Sequence, residues 1–283
     1  MTKKLDFNFF IIFILIFVFI QIIGLISANY YLNQDAVRGV FTEDPNNVIN
    51  AFGILIEILI FTFLMIFLKR FFKKQNYLNF FEIMALFVGC VVVFDVFLSY
   101  YFALLISLFL LVFRNFLKFK KNIKLLMWYN NFLLAISIAG AGSIIGLSLG
   151  VIPVIVFIIL LSIYDIIAVF YTKHMVVLAN MVIKKKLAFT FSIPTKRKVY
   201  QLGGGDIVIP LLTSVSFFYI LIGKYTFIQT IFPIMFIWLA SILGLVLTFV
   251  ILSKSKKIKA LPALPLQTLF MLFVIIYILI FLL

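Results

Sequence analysis

The chain has 283 residues, of which 66% are hydrophobic and 12% charged, with a mean hydropathy of +1.29 and a formal net charge of +15. That much apolar surface excludes a soluble globular domain, and apolar runs along the whole length mark a polytopic membrane protein. One cysteine and one histidine exclude both an intramolecular disulfide and a zinc cluster, and no cofactor is expected.

The N-terminus places Lys3 and Lys4 before an apolar run from Phe7 to Ala28. That run is longer than the ~7–15 apolar residues of a cleaved secretory signal, so it reads as a retained first helix. Runs of about 17–25 apolar residues then predict nine membrane helices. They cover about 7–28, 48–68, 80–98, 100–116, 125–148, 151–172, 199–223, 227–252 and 265–283. The expected fold is an all-α polytopic membrane protein forming one domain over 1–283, with a six–seven loop at about 173–198.

Loop charge sets the orientation. Of the 24 lysines and arginines, all but Arg38 and Lys224 fall on the N-terminal segment or on alternate loops. Arg114, Lys118, Lys120, Lys121 and Lys124, for example, are assigned between helices four and five. This positive-inside pattern predicts a cytosolic N-terminus and, with an odd number of spans, an outside C-terminus. It also explains the net charge as topology. A nucleic-acid partner is not expected, because no groove-reading context accompanies the basic residues.

Four acids fall within predicted spans: Glu57, Asp95, Asp165 and Asp206. A carboxylate in hydrocarbon is costly, so each is a functional candidate. At ~1.5 Å per residue, Asp165 lies ~10 Å and Asp206 ~12 Å from the cytosolic ends of their helices, so these two can meet. Asp95 lies near the outer face and reads as a polar contact. Glu57 falls mid-membrane, where it can pair within the bundle or line a water path. Two carboxylates in a dry pocket titrate together, one keeping a proton while the other is charged. Such a pair can activate water and protonate a carbonyl or leaving amine, hydrolysing an amide without metal. Depth alone equally allows a proton- or cation-coupled transporter using the same aspartates at a broken helix.

The surrounding motifs discriminate. Helix six contains Tyr164-Asp165. Helix seven opens Gly203-Gly204-Gly205-Asp206, a G-x-G-D pattern, and Pro262-Ala263-Leu264 precedes helix nine. This trio, in this order, resembles the presenilin and signal peptide peptidase family of intramembrane aspartyl proteases. The resemblance is most specific over helices six to nine, and the span count extends it over the chain. It implies that Asp165 and Asp206 are the catalytic pair. It also implies that Pro262, Ala263 and Leu264 lie beside them and help seat substrate, with Tyr164 and Gly203, Gly204 and Gly205 shaping the site. Substrates would be transmembrane helices of other proteins, met in the lipid bilayer of the cell membrane. Accessory subunits and homo-oligomers stay open. Gly204 stands where the family often has leucine, and "DIVIP" is closer to signal peptide peptidases, whereas the charge topology is presenilin-like. The six–seven loop lacks a long insert, so internal self-cleavage is not expected. The compact loops and the isoleucine, lysine and phenylalanine bias fit a microbial homologue.

Physical chemistry supports the same segments. The glycines weaken the helix and let a substrate backbone approach Asp206. Pro262 and Pro265 are expected to keep Ala263-Leu264 extended, ready to pair with an unwound substrate strand. The triple glycine lacks the lysine and spacing of a nucleotide loop. Gly142, Gly146 and Gly150 recur every four residues and predict a close-packing helix face. Cys90 reads as a small buried hydrophobe and His174 as a solvated residue at a helix end. The phenylalanines read as lipid-facing bulk.

Overall fold

The structure, a computed structural model, describes residues 7–34, 38–71, 76–119, 122–172, 175, 187–195, 199–254 and 261–283. Among these, nine helices are long and apolar enough to cross a membrane. They are α1 (Phe7–Leu32), α2 (Ile49–Phe71), α3 (Asn76–Phe97), α4 (Tyr100–Phe119), α5 (Ile123–Leu147), α6 (Val151–Ile166), α7 (Gly205–Ile222), α8 (Phe227–Lys254) and α9 (Leu264–Phe281). Helices dominate because hydrocarbon offers no partners to backbone polar groups, which a helix satisfies internally.

Helix α5 is the central post. Of its apolar window 78% is buried, against 17% for α2, which packs chiefly on α6 at the periphery. Small residues let neighbours reach α5. A Cβ on Gly140 would sit 2.1 Å from the Gly89 carbonyl oxygen of α3. Gly142 and Gly146 face Leu211 and Val215 of α7, as the four-residue repeat predicts. Gly150 departs from it: it caps α6 and packs on Asn46 of the first loop. Cys90 is fully buried in the core. Buried Phe9, Phe13 and Phe17 of α1 also belong to the core, so phenylalanine is not lipid-facing bulk alone.

Two elements depart from the predicted all-helical path, both at the carboxyl-bearing end of the bundle. The predicted seventh span begins at 199. Instead β1 (Thr190–Pro194) and β2 (Val199–Gly203) form an antiparallel hairpin, with Ser192 opposite Gln201 and Thr190 opposite Gly203. The seventh helix starts only at Gly205. The β-branched and aromatic residues alternate along the hairpin, with Phe191, Ile193, Tyr200 and Leu202 buried, which is the strand period and not the helical one. The second departure is in α6, which widens into a π-helical turn over Ile167–Tyr171, directly after Asp165. Single π turns recur at functional positions.

A buried ion pair pins the hairpin. The loop-charge pattern places Arg114 among the cytosolic cations, but its side chain is 1% exposed inside α4 and pairs with the fully buried Glu82 of α3. Arg114 Nε donates to Asn130 Oδ1 at 2.7 Å, and the Ala188 amide, two residues before β1, donates to Glu82 Oε1. Asn131 of α5 holds β1 itself: its Oδ1 accepts from the Ser192 amide and its Nδ2 donates to the Ser192 carbonyl, both at 2.9 Å.

Candidate active site

Asp165 lies in the last turn of α6 and is 8% exposed. Asp206 occupies the second position of α7 and is half-buried. Their helices pack together at the end of the bundle that carries both carboxyls. Among the described residues neither forms an ion pair. Each takes its hydrogen bonds from backbone. The Leu264 amide donates to Asp165 Oδ2 at 3.3 Å, and the Ala263 amide faces the same carboxyl. The Gly203 amide faces Asp206. Backbone donors at a helix start hold a carboxylate firmly without supplying a competing cation.

The Pro262-Ala263-Leu264 segment therefore sits against Asp165, but not in the expected conformation. Ala263 has helical dihedrals (φ −88°, ψ −34°), and α9 begins at Leu264 with Pro265 in its first turn. Proline is at home there, because a first-turn amide has no intrahelical acceptor. The segment is thus a helix start whose free amides point at Asp165, not an extended strand. Tyr164 is half-buried and bonds the Thr62 side chain of α2. Of the glycines, Gly203 ends β2 and its missing Cβ leaves room for Asp206 Oδ2 at 3.3 Å. Gly204 packs near Ile138 and bonds the Phe189 carbonyl at 3.2 Å. Gly205 is exposed, and a Cβ there would meet nothing within 4 Å.

Space near the carboxyls lies between α6 and α9, where a groove of about 380 Å³ runs past Ser162, Ile163, Pro265 and Thr268. A larger cavity of about 840 Å³, lined by Tyr225, Phe232 and Tyr277, is at the opposite end of the bundle.

The remaining acids separate from this pair. Asp95 accepts from the Tyr31 hydroxyl at 3.0 Å, a polar contact near the far end of α3. Glu57 is on the exposed face of α2. His174 lies outside the described residues. No group of three or more metal-ligating side chains occurs among the described residues.

Comparison with known proteins gives this geometry its context. Residues 12–281 match the model of the family described as signal-peptide peptidase, presenilin aspartyl protease. The chain belongs to that family. Two solved structures of a presenilin family intramembrane aspartate protease, in different crystal forms, share the fold. One superposes with a TM-score of 0.65 at 21% identity, covering 93% of this chain and 95% of the other. The second gives 0.61 at 22% identity, covering 93% and 96%. No curated protein sequence matches. Family membership makes the chain a membrane-embedded aspartyl protease and does not favour the transporter alternative.

Several residues around the site carry no signal in the sequence motifs. Glu82 lies near a span end and does not stand out among the acids. Gln21 and Gln267 are isolated polar residues in apolar helices, each fully buried. Both donate to the first turn of α7: Gln267 Nε2 to the Asp206 carbonyl at 2.8 Å, and Gln21 Nε2 to the Ile207 carbonyl at 3.3 Å. A lone buried amide in hydrocarbon is itself a signal, since it needs a partner.

Proposed function

We propose that Asp165 and Asp206 are the catalytic pair, and that the protein hydrolyses peptide bonds within transmembrane helices of other membrane proteins, near their cytosolic ends. The observation that carries this is a pair of carboxyls on two packed helices, each facing backbone amides and, among the described residues, neither paired with a cation. The loop charges support a cytosolic N-terminus, so that water reaches the pair from the cytosolic side of the cell membrane.

The chemistry balances with one shared proton. The ionised aspartate takes a proton from water as its oxygen attacks the scissile carbonyl carbon. The protonated aspartate gives its proton to the carbonyl oxygen, forming a neutral gem-diol. Collapse breaks the C–N bond, a proton passes to the leaving nitrogen, and the pair returns to its one-proton state.

A substrate helix must unwind first, because its amides are locked in hydrogen bonds. With Ala263-Leu264 turned into α9, β2 offers the edge for an added strand. Ser192 spends its amide and carbonyl on Asn131, away from β2. Its partner Gln201 therefore forms a non-hydrogen-bonded pair and turns its own amide and carbonyl to the outer edge of β2. Two residues on, the Gly203 amide faces outward in the same way and meets Asp206. The open space beside Gly205 supports the approach of a substrate backbone there.

The test is cleavage of a reporter transmembrane helix by purified protein in lipid vesicles, with fragments read by mass spectrometry. Asp165→Asn and Asp206→Asn should each abolish cleavage while melting temperature stays near that of the unmodified protein. Cleavage by either variant at the unmodified rate would overturn the assignment.

A further inference from the structure

We propose that Gln267 is a positioning residue for Asp206, and that the first turn of α9 sets the separation of the two aspartates. The inference rests on the catalytic reading of Asp206 given above and adds to it a residue outside the three motifs.

It begins with a proline. In an unbroken helix the carbonyl of Asp206 would accept from the amide of the residue four positions on. That residue is Pro210, inside α7, and it has no N–H. The Asp206 carbonyl is thereby left without its helical donor, at a depth where the bilayer supplies none. Gln267 Nε2 fills the place at 2.8 Å. Its second N–H points to Ser241 Oγ of α8 at 2.6 Å. A backbone carbonyl only accepts, so the orientation of the Gln267 amide is fixed by chemistry.

The other end of the same turn holds the other aspartate. Leu264, three residues before Gln267, gives its amide to Asp165 Oδ2 at 3.3 Å. Residues three apart lie on one face of a helix. One turn of α9 therefore touches Asp165 through its carboxyl and Asp206 through its main chain. Any tilt or slide of that turn changes the distance between the two carboxyls.

A purely packing role for Gln267 fits less well. The side chain is 0% exposed, and its Oε1 has no hydrogen-bond partner among the described residues. A buried amide half-satisfied in this way costs stability that methionine or leucine would avoid. What the glutamine supplies is a pair of N–H donors, and one goes to the residue that carries the reactive carboxyl.

The test uses the full chain in vesicles with the same reporter helix. It compares Gln267→Met, Pro210→Ala, the double variant and Asp206→Asn. Gln267→Met keeps the volume and removes the donor. Its kcat should fall on the order of 10- to 100-fold, the scale of a ~1 Å displacement of a reacting group, with KM little changed. In the double variant the alanine introduced in place of Pro210 supplies the helical N–H that the Asp206 carbonyl lacks. Most of that kcat should therefore return, measured against Pro210→Ala alone. An unchanged kcat in Gln267→Met, or a double variant no faster than that single, overturns the proposal. If Gln267→Met shows no cooperative melt, the double variant should regain one, and failure to regain it overturns the proposal equally. Normal cleavage by Asp206→Asn would instead defeat the catalytic reading, while the melting comparison would still report on the Gln267 hydrogen bond.

Discussion

Gly244 of α8 offers a sharp probe of how tightly the site is set. A methyl group there would lie 2.5 Å from the Cα and 2.8 Å from the nitrogen of Gln267, and 3.0 Å from the carbonyl carbon of Leu266. Carbon atoms in contact sit about 3.5–4.0 Å apart, so the shortest of these gaps is deficient by about 1 Å. All three opposing atoms are backbone, and no rotamer change can relieve the clash. Gly244→Ala must therefore move the start of α9 away from α8, taking Leu264 and Gln267 with it. The overpacking should cost about 1–3 kcal/mol of stability. The displacement should lower the cleavage rate about 100-fold, because misplacement by ~1 Å is felt at that scale in the reaction. Gly223→Ala is the control: its nearest neighbour, the Ile220 carbonyl oxygen, would be at an ordinary 3.7 Å. Both variants are assayed in vesicles with the reporter helix, beside a thermal melt. Gly244→Ala cleaving at the unmodified rate would show that α9 does not set the separation of the aspartates, and the reasoning would fail.

Removing one partner of the buried Glu82–Arg114 pair, by Glu82→Leu or Arg114→Met alone, should cost about 3–5 kcal/mol in a chemical or thermal melt, and the double variant should recover much of it. Glu82→Leu should also release the Ala188 amide and slow cleavage through the hairpin that leads into Asp206. The pH dependence of cleavage should be bell-shaped: the acid limb falls as both carboxyls of the pair become protonated, and the alkaline limb as both ionise. A rate that rises monotonically across both limbs would contradict the shared-proton scheme.

Nine spans were legible because hydropathy over about 20 residues is a strong signal and the bilayer permits few alternatives. The two aspartates were legible because ionised groups in such runs are rare. The hairpin was not, since Val199 to Gly203 is apolar enough to extend the seventh span and only its period-two burial marks it as strand. Arg114 misleads for the converse reason. A cation close to a span end reads as loop, and Glu82, 32 positions away in sequence, makes its burial tolerable together with Asn130. The conformation of Pro262-Ala263-Leu264 turns on a narrower point. Two prolines exclude a helix interior, but not a helix start, where the missing N–H is no loss.

What touches the carboxyls separates the motif residues from the layer behind them. Asp165 is met by the amides of Ala263 and Leu264, and Asp206 by the amide of Gly203. These contacts need glycine and proline at fixed places to shape the chain, and glycine and proline are what a short motif records. The layer behind is built from side chains whose task is to satisfy a particular main-chain atom: Gln267 on Asp206, Gln21 on Ile207, Asn131 on Ser192, Glu82 on Ala188. Another donor or acceptor at a different position can reach the same atom, so no short motif encodes this layer.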